Sequence, residues 1–96
     1  MQVAIAEHLD RHGFAPRREV ILTDADRIDI LVGRTGIEVK IAGAPLAVAR
    51  QLQRYAHSPD IDVLILATTR ASHCAELPPV LAGKPLIRSL IAGGAW

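Results

Sequence analysis

Cysteine is nearly absent from this chain of 96 residues. Cys74 stands alone, so no intrachain disulfide can form, and a reducing cytoplasm is the expected compartment. Long apolar runs are missing as well: no stretch approaches the roughly 20 residues of a membrane-spanning helix. The opening "MQVAIAEHLDRHG" carries acids and histidines where a signal peptide has a continuous apolar core. A soluble, cytoplasmic protein with no membrane partner is therefore expected. Charge of one sign is scarce too. The formal net charge is +1, so no global basic field advertises nucleic acid. Internal repeats, low-complexity tracts and linkers are all lacking, which leaves one domain over 1–96.

What is present fits a packed fold. Half of the residues are apolar and 22% are charged, a balance that favours a globular core over disorder. A domain this small buries a limited share of its surface, so a homodimer is a reasonable way to add buried area. Among the eleven lysines and arginines only Lys40 and Lys84 are lysine. Arginine's planar fork suits phosphate, which is compatible with a nucleic-acid partner.

Apolar spacing predicts a first helix over 2–13, stopped by Gly13. Strands follow at "RREVILT" (17–23), "RIDILV" (27–32) and "GIEVKIA" (36–42), separated by Asp24-Ala25-Asp26 and by Gly33-Arg34-Thr35. Gly43 and Pro45 introduce a second helix over 45–57, ended by Ser58-Pro59. "IDVLILATT" (61–69) is apolar on both faces, the mark of a central strand covered by helices. The tail is less regular: a short helix at "RASHCAEL", a break at Pro78-Pro79, and a last strand at "KPLIRSLIA". The order is an αβββαβ core of the α/β class. It should form a mixed sheet, with an antiparallel three-strand meander and a parallel fourth strand reached by a right-handed crossover.

The charges inside the meander need explaining. Alternation sets Ile37, Val39 and Ile41 on one face of the third strand and Glu38 and Lys40 on the other. Ile28, Ile30 and Val32 share a face of the second strand, opposite Asp29. A two-residue turn at Gly33-Arg34, glycine first, faces Val32 with Thr35 and Leu31 with Gly36. Asp29 then falls opposite Glu38, and Arg27 opposite Lys40. Like charges directly opposite on a ladder are destabilising, and a divalent cation between them offsets that cost. Oxygen ligands favour Mg²⁺ or Mn²⁺, and a neighbouring lysine can orient water or stabilise charge on a phosphate. The competing reading is a solvated strand face with mixed charge.

The residues Asp29 in "RIDIL", Glu38-Val39-Lys40 in "IEVKI", and Gln51 and Tyr55 in "QLQRY" together resemble the PD-(D/E)XK nuclease superfamily, the restriction-endonuclease-like fold. Gln51 and Tyr55 match the Gln-x-x-x-Tyr motif of its RecB-like branches, and the resemblance covers about residues 3–69. It implies a Mg²⁺- or Mn²⁺-dependent nuclease that cuts DNA by metal-activated water, structure-selective or nonspecific in its targets. Asp29, Glu38 and the carbonyl of Val39 would hold the metal, and Lys40 would position the attacking water. Gln51 would orient the site or meet a phosphate, with Tyr55 in support. An acid on the first helix often completes the site in the Holliday-junction-resolvase-like members. Glu7 is the candidate, with Asp10 and Glu19 as alternatives. Ile28 stands where the name-giving proline would be. Some members have lost activity, so a catalytically silent nucleic-acid-binding or assembly subunit is the alternative.

Arg50, Arg54 and His57 fall on one exposed stripe of the second helix, where phosphate contact and plain solvated charge compete. Arg17 and Arg18 open a strand and either touch DNA or blunt a sheet edge. His8 and His12 have the spacing of a zinc pair but lack an evident third ligand. His73-Cys74 reads as an inert thiol beside a histidine rather than a nucleophile pair. Gly93-Gly94 has no strand-to-helix context for a phosphate loop. Trp96 either packs on a partner or frays.

Overall fold

The computed structural model describes residues 1–75 and 77–91. Helix α1 (Gln2–Arg11) leads into strands β1 (Arg17–Ile21), β2 (Arg27–Val32) and β3 (Thr35–Lys40). Helix α2 (Pro45–Ala56) and strand β4 (Val63–Thr68) follow. A 3₁₀ turn (Ala71–His73) and strands β5 (Val80–Leu81) and β6 (Lys84–Leu90) complete the described chain. Gly93, Gly94 and Trp96 lie outside it.

The sheet runs β1-β2-β3-β4-β6-β5. β1, β2 and β3 form the antiparallel meander, while β4 is parallel to both β3 and β6. This is the expected αβββαβ core with one addition, the two-residue strand β5 on the edge. Two residues are too few to show a period, which is why the tail read as irregular. Among the described residues of the expected "RASHCAEL" helix only Ala71–His73 are helical, as a 3₁₀ turn, and Glu76 lies outside the described residues. α1 ends two residues before Gly13, and β1 two before Thr23.

Each helix covers one face of the sheet. Val48, Leu52, Tyr55 and Ala56 of α2 pack on Leu64, Leu66 and Leu86. On the other face Ile5 and Ala6 of α1 pack on Ile30, Ile37 and Ala67. β4 thus sends alternate residues into both layers, as its unbroken apolar run predicts. Pro45 occupies the first turn of α2, where a missing N–H has no helical partner to lose. Arg34 at the β2–β3 turn forms a fork with Asp62 at 2.8 and 3.1 Å, fastening the turn to the approach to β4. Among the described residues no helix is long and apolar enough to cross a membrane.

The turn has the expected parity. Gly33 takes φ +58 and Val32 pairs with Thr35, Leu31 with Gly36 and Ile30 with Ile37. One face assignment needs correction: Ile28 does not share a side with Ile30 and Val32. It packs with Leu31 in the α2 layer, while Ile30 and Val32 belong to the α1 layer. Alternation breaks at Asp29, and its counterpart across β1, Glu19, has φ +54 and no ladder partner. Ile28 fills the space over Gly36, where an added Cβ would lie 2.4 Å from Ile28 Cδ1 and 2.9 Å from Ile61 Cδ1. Both isoleucines are fully buried and have little room to retreat. Gly36→Val should therefore cost about 3 kcal/mol of stability by overpacking. Urea denaturation would check this, and a midpoint equal to wild type would contradict it.

A candidate metal centre on the split between β2 and β3

Ladder pairing between β2 and β3 stops at Ile30–Ile37, and carboxylates take over where it stops. The Asp29 N–H donates to Glu38 Oε1 at 3.2 Å, and the Val39 N–H donates to Asp29 Oδ2 at 2.8 Å. Each acid thus binds the backbone of the other's strand, and the two are held side by side. Lys40 does not face Arg27 as the extended register suggested. Its Nζ lies 3.3 Å from Glu38 Oε2, whereas Arg27 turns to Glu19 at 3.1 Å. The reason is electrostatic: each cation takes the nearest carboxylate rather than the other cation.

Helix α2 supplies the remaining contacts. Gln51 and Tyr55 stand one turn apart, and Gln51 Nε2 donates to Tyr55 Oη at 2.6 Å. The same hydroxyl lies 3.0 Å from the Arg27 carbonyl and 3.3 Å from Glu38 Oε2. One hydroxyl proton cannot serve two acceptors. When Tyr55 donates to Arg27, its contact with Glu38 is satisfied by a proton on the carboxyl. Tyr55 is 1% exposed, so it braces Glu38 from within the core and does not meet solvent.

Burial pushes the Glu38 carboxyl up to about 7, and neighbouring Asp29 adds to the shift; Lys40 and the Asp29 N–H pull against it. Burial also raises the Tyr55 hydroxyl above the usual tyrosine range, with Glu38 contributing. The pair is costly to ionise because it lies in a low-dielectric setting beside a like charge. Such a perturbed acid beside a lysine is the electrostatic pattern of a functional site.

The other expected site residues fall elsewhere. Glu7 and Asp10 are exposed on α1, whose Ile5 and Ala6 pack on the face opposite Tyr55. Glu19 is occupied by Arg27 and by Gln2 Nε2 at 3.0 Å. Among the described residues no third acid, histidine or cysteine joins Asp29 and Glu38 in a group able to hold a metal. Val39 is present through its peptide, whose N–H Asp29 fixes.

Two of the expected phosphate contacts have structural partners. Arg54 Nε donates to Asp26 Oδ1 at 3.0 Å, and Asp26 is only 9% exposed. Arg18 reaches Gln2 Oε1 at 2.6 Å. Arg17 and Arg50 are exposed, and neither has an ion pair or side-chain hydrogen bond among the described residues. No signal in the sequence marked Asp26 as the partner of Arg54, since 28 positions separate them.

The histidines also have structural partners. His12 Nδ1 donates to the His8 carbonyl at 2.8 Å. His73 is buried, donates from Nε2 to the Gly43 carbonyl and receives the Thr68 hydroxyl at Nδ1, both at 2.8 Å. That arrangement turns its ring to structural duty beside a half-buried Cys74.

The donor set can be tested against a metal. Asp29 and Glu38 each retain unused lone pairs, and two carboxylates without a third suit Mg²⁺ or Mn²⁺, which keep several waters and share substrate phosphate oxygens. The same set does not suit a closed zinc or calcium cage. No family model, no curated protein and no solved structure matches the chain.

Proposed function

We propose that the chain is a divalent-metal-dependent nuclease of the PD-(D/E)XK type, hydrolysing phosphodiester bonds in DNA. One observation carries this reading: Asp29 and Glu38, from adjacent strands, each bind the other strand's backbone, with Lys40 3.3 Å from Glu38. Like carboxylates held this close, one of them buried, gain little in a purely structural role. Asp29 and Glu38 would hold Mg²⁺ or Mn²⁺. When bound, the ion supplies a Lewis acid and an acidified water. Lys40 would set its positive charge beside the phosphate and beside the hydroxide that forms as the attacking water gives its proton to solvent. Gln51 and Tyr55 keep the Glu38 carboxylate in place. The exposed cations Arg17 and Arg50 offer phosphate contacts.

Metal binding must displace the Glu38 proton, so affinity should rise with pH. Calorimetry is expected to show Mn²⁺ binding at pH 8 that weakens markedly by pH 6. Asp29→Asn and Glu38→Gln should each lose it. Cleavage of linear, single-stranded or branched DNA should then require the ion and stop with EDTA. Ion binding that survives both substitutions would remove the site, and no chelator-sensitive cleavage of any substrate would remove the nuclease.

The second reading is a DNA-binding or assembly subunit without turnover. The observation favouring it is that no third acid joins the pair among the described residues. It predicts salt-sensitive DNA binding that survives Asp29→Ala and needs no metal.

A further inference from the structure

From Ile41 into the first turn of α2, the helix that supplies Gln51, the chain exposes an unbroken apolar segment. Residues 41–47 read IAGAPLA, and every one is exposed. Ile41 is 57% and Leu46 61% accessible. Lone exposed aliphatics are ordinary, but a continuous apolar rim beside a polar site marks an interaction surface.

Hydrogen bonds hold this segment at several points. Arg70 Nε donates to the Ile41 carbonyl at 3.0 Å, and buried His73 donates to the Gly43 carbonyl at 2.8 Å. Gly43 itself turns at φ +106, a conformation that disfavours a side chain. The Val48 N–H then closes the first turn of α2 on the Ala44 carbonyl at 3.1 Å. The backbone is fixed while Ile41 and Leu46 project into water.

The segment has no acid in its own stretch of chain, and Lys40 and Arg54 beside it are paired with Glu38 and Asp26. From Val39 to Pro59 the chain holds no acid, yet it includes Lys40, Arg50 and Arg54. Arg50 stands one turn beyond Leu46, outside the buried Val48–Leu52–Tyr55 stripe, with no ion pair among the described residues. Arg70 spends its Nε on Ile41. Beside them, Pro45, Leu46, Ala49, Ser72 and Leu77 line a groove of about 170 Å³. A second copy of the chain is a poor occupant. Across a two-fold axis the patch would meet itself, setting Arg50 and Arg70 against like charges.

We propose that Ile41 and Leu46 form an apolar wedge that opens the terminal base pair of a nucleic-acid end, fork or junction, while Arg50 and Arg70 take the flanking phosphates. The proposal rests on the nucleic-acid reading above and adds the class of substrate. Aliphatic side chains inserted at a base step replace stacking contacts, at a cost that is smallest where the bases are already frayed. The groove beside Leu46 receives the freed base. Lys40 directly precedes Ile41 in the chain, so the opened step lies next to the metal centre.

The test compares two DNAs in EDTA: a fork with 2-aminopurine at its last pair, and the same duplex closed by hairpin loops at both ends. Wild type should bind the fork more tightly and raise its fluorescence. Ile41→Ser combined with Leu46→Ser should weaken fork binding about tenfold, the order expected for two partly exposed aliphatic contacts. Closed-duplex binding should stay within about twofold, with the salt slope unchanged. Arg50→Ala should weaken both DNAs alike and lower the salt slope. A double variant that binds the fork like wild type, or loses both DNAs equally, overturns the wedge alone. So does a wild-type dimer that the double variant dissociates in sedimentation. If wild type binds neither DNA, the nucleic-acid reading falls and takes the wedge with it.

Discussion

On the proposed nuclease reading, Lys40→Ala is expected to lower metal-dependent DNA cleavage by roughly 10²–10³-fold, the usual loss when one preorganised charge is removed from a transition state. The Lys40 side chain is 24% exposed and lies 3.3 Å from Glu38 Oε2. It thus touches the buried acid yet remains open to an approaching phosphate. Removing it also removes the cation that favours ionised Glu38. The carboxyl should then hold its proton to higher pH, and Mn²⁺ binding should move upward in pH with it. A lysine that only balanced charge in the strand would produce the pH shift alone, and cleavage would recover once the pH is high enough to reload the ion. Thermal melts at pH 6, where Glu38 is largely protonated, should show a folded variant. Cleavage by Lys40→Ala at the wild-type rate would exclude the assigned role.

Glu38→Gln should stabilise the metal-free protein at pH 8 and flatten its stability against pH. The folded-state carboxyl is raised from 4.5 to about 7. Between those values the folded chain binds more protons than the unfolded one, so stability falls as pH rises through this window. Below it the contribution is full, and above it the penalty is complete. A shift of this size corresponds to about 3 kcal/mol. Glutamine keeps the shape and can still accept the Asp29 N–H, but has no charge to bury. Urea titrations from pH 4.5 to 8 would read the slope directly. A wild-type curve that rises over that range would contradict the account. The same substitution should abolish ion binding, so a more stable protein would be a less capable one. That exchange of stability for chemistry is expected where a site is built from strained charges.

Much of this arrangement could be read before any coordinates. Gly33-Arg34 fixed the parity of the β2–β3 turn, and parity brought Asp29 beside Glu38. Helical spacing put Gln51 and Tyr55 on one face, where they are hydrogen-bonded. The double-sided apolar run of β4 announced a central strand. Strand faces near Asp29 were not legible, because alternation assumes an unbroken ladder. There the acid side chains replace ladder bonds, and Gly36 leaves room for Ile28 to cross to the other layer. Arg54 was equally opaque. Its partner Asp26 sits in a distant turn that reaches α2 only once the meander has folded. The exposed Ile41–Ala47 segment did carry a signal, an apolar run from the end of β3 into the first turn of α2, but its accessibility depends on how α2 docks.

By itself the sequence determined the αβββαβ order, the antiparallel meander and the neighbouring carboxylates. These follow from local rules: periodicity, turn parity and the crossover constraint. Only the tertiary structure decided how those carboxylates behave. Tyr55 from α2 packs against Glu38, which is only 2% exposed, and that burial turns an ordinary surface acid into one that holds its proton to about pH 7. Desolvation is set by everything packed around a group, and no spacing of residues along a chain contains it.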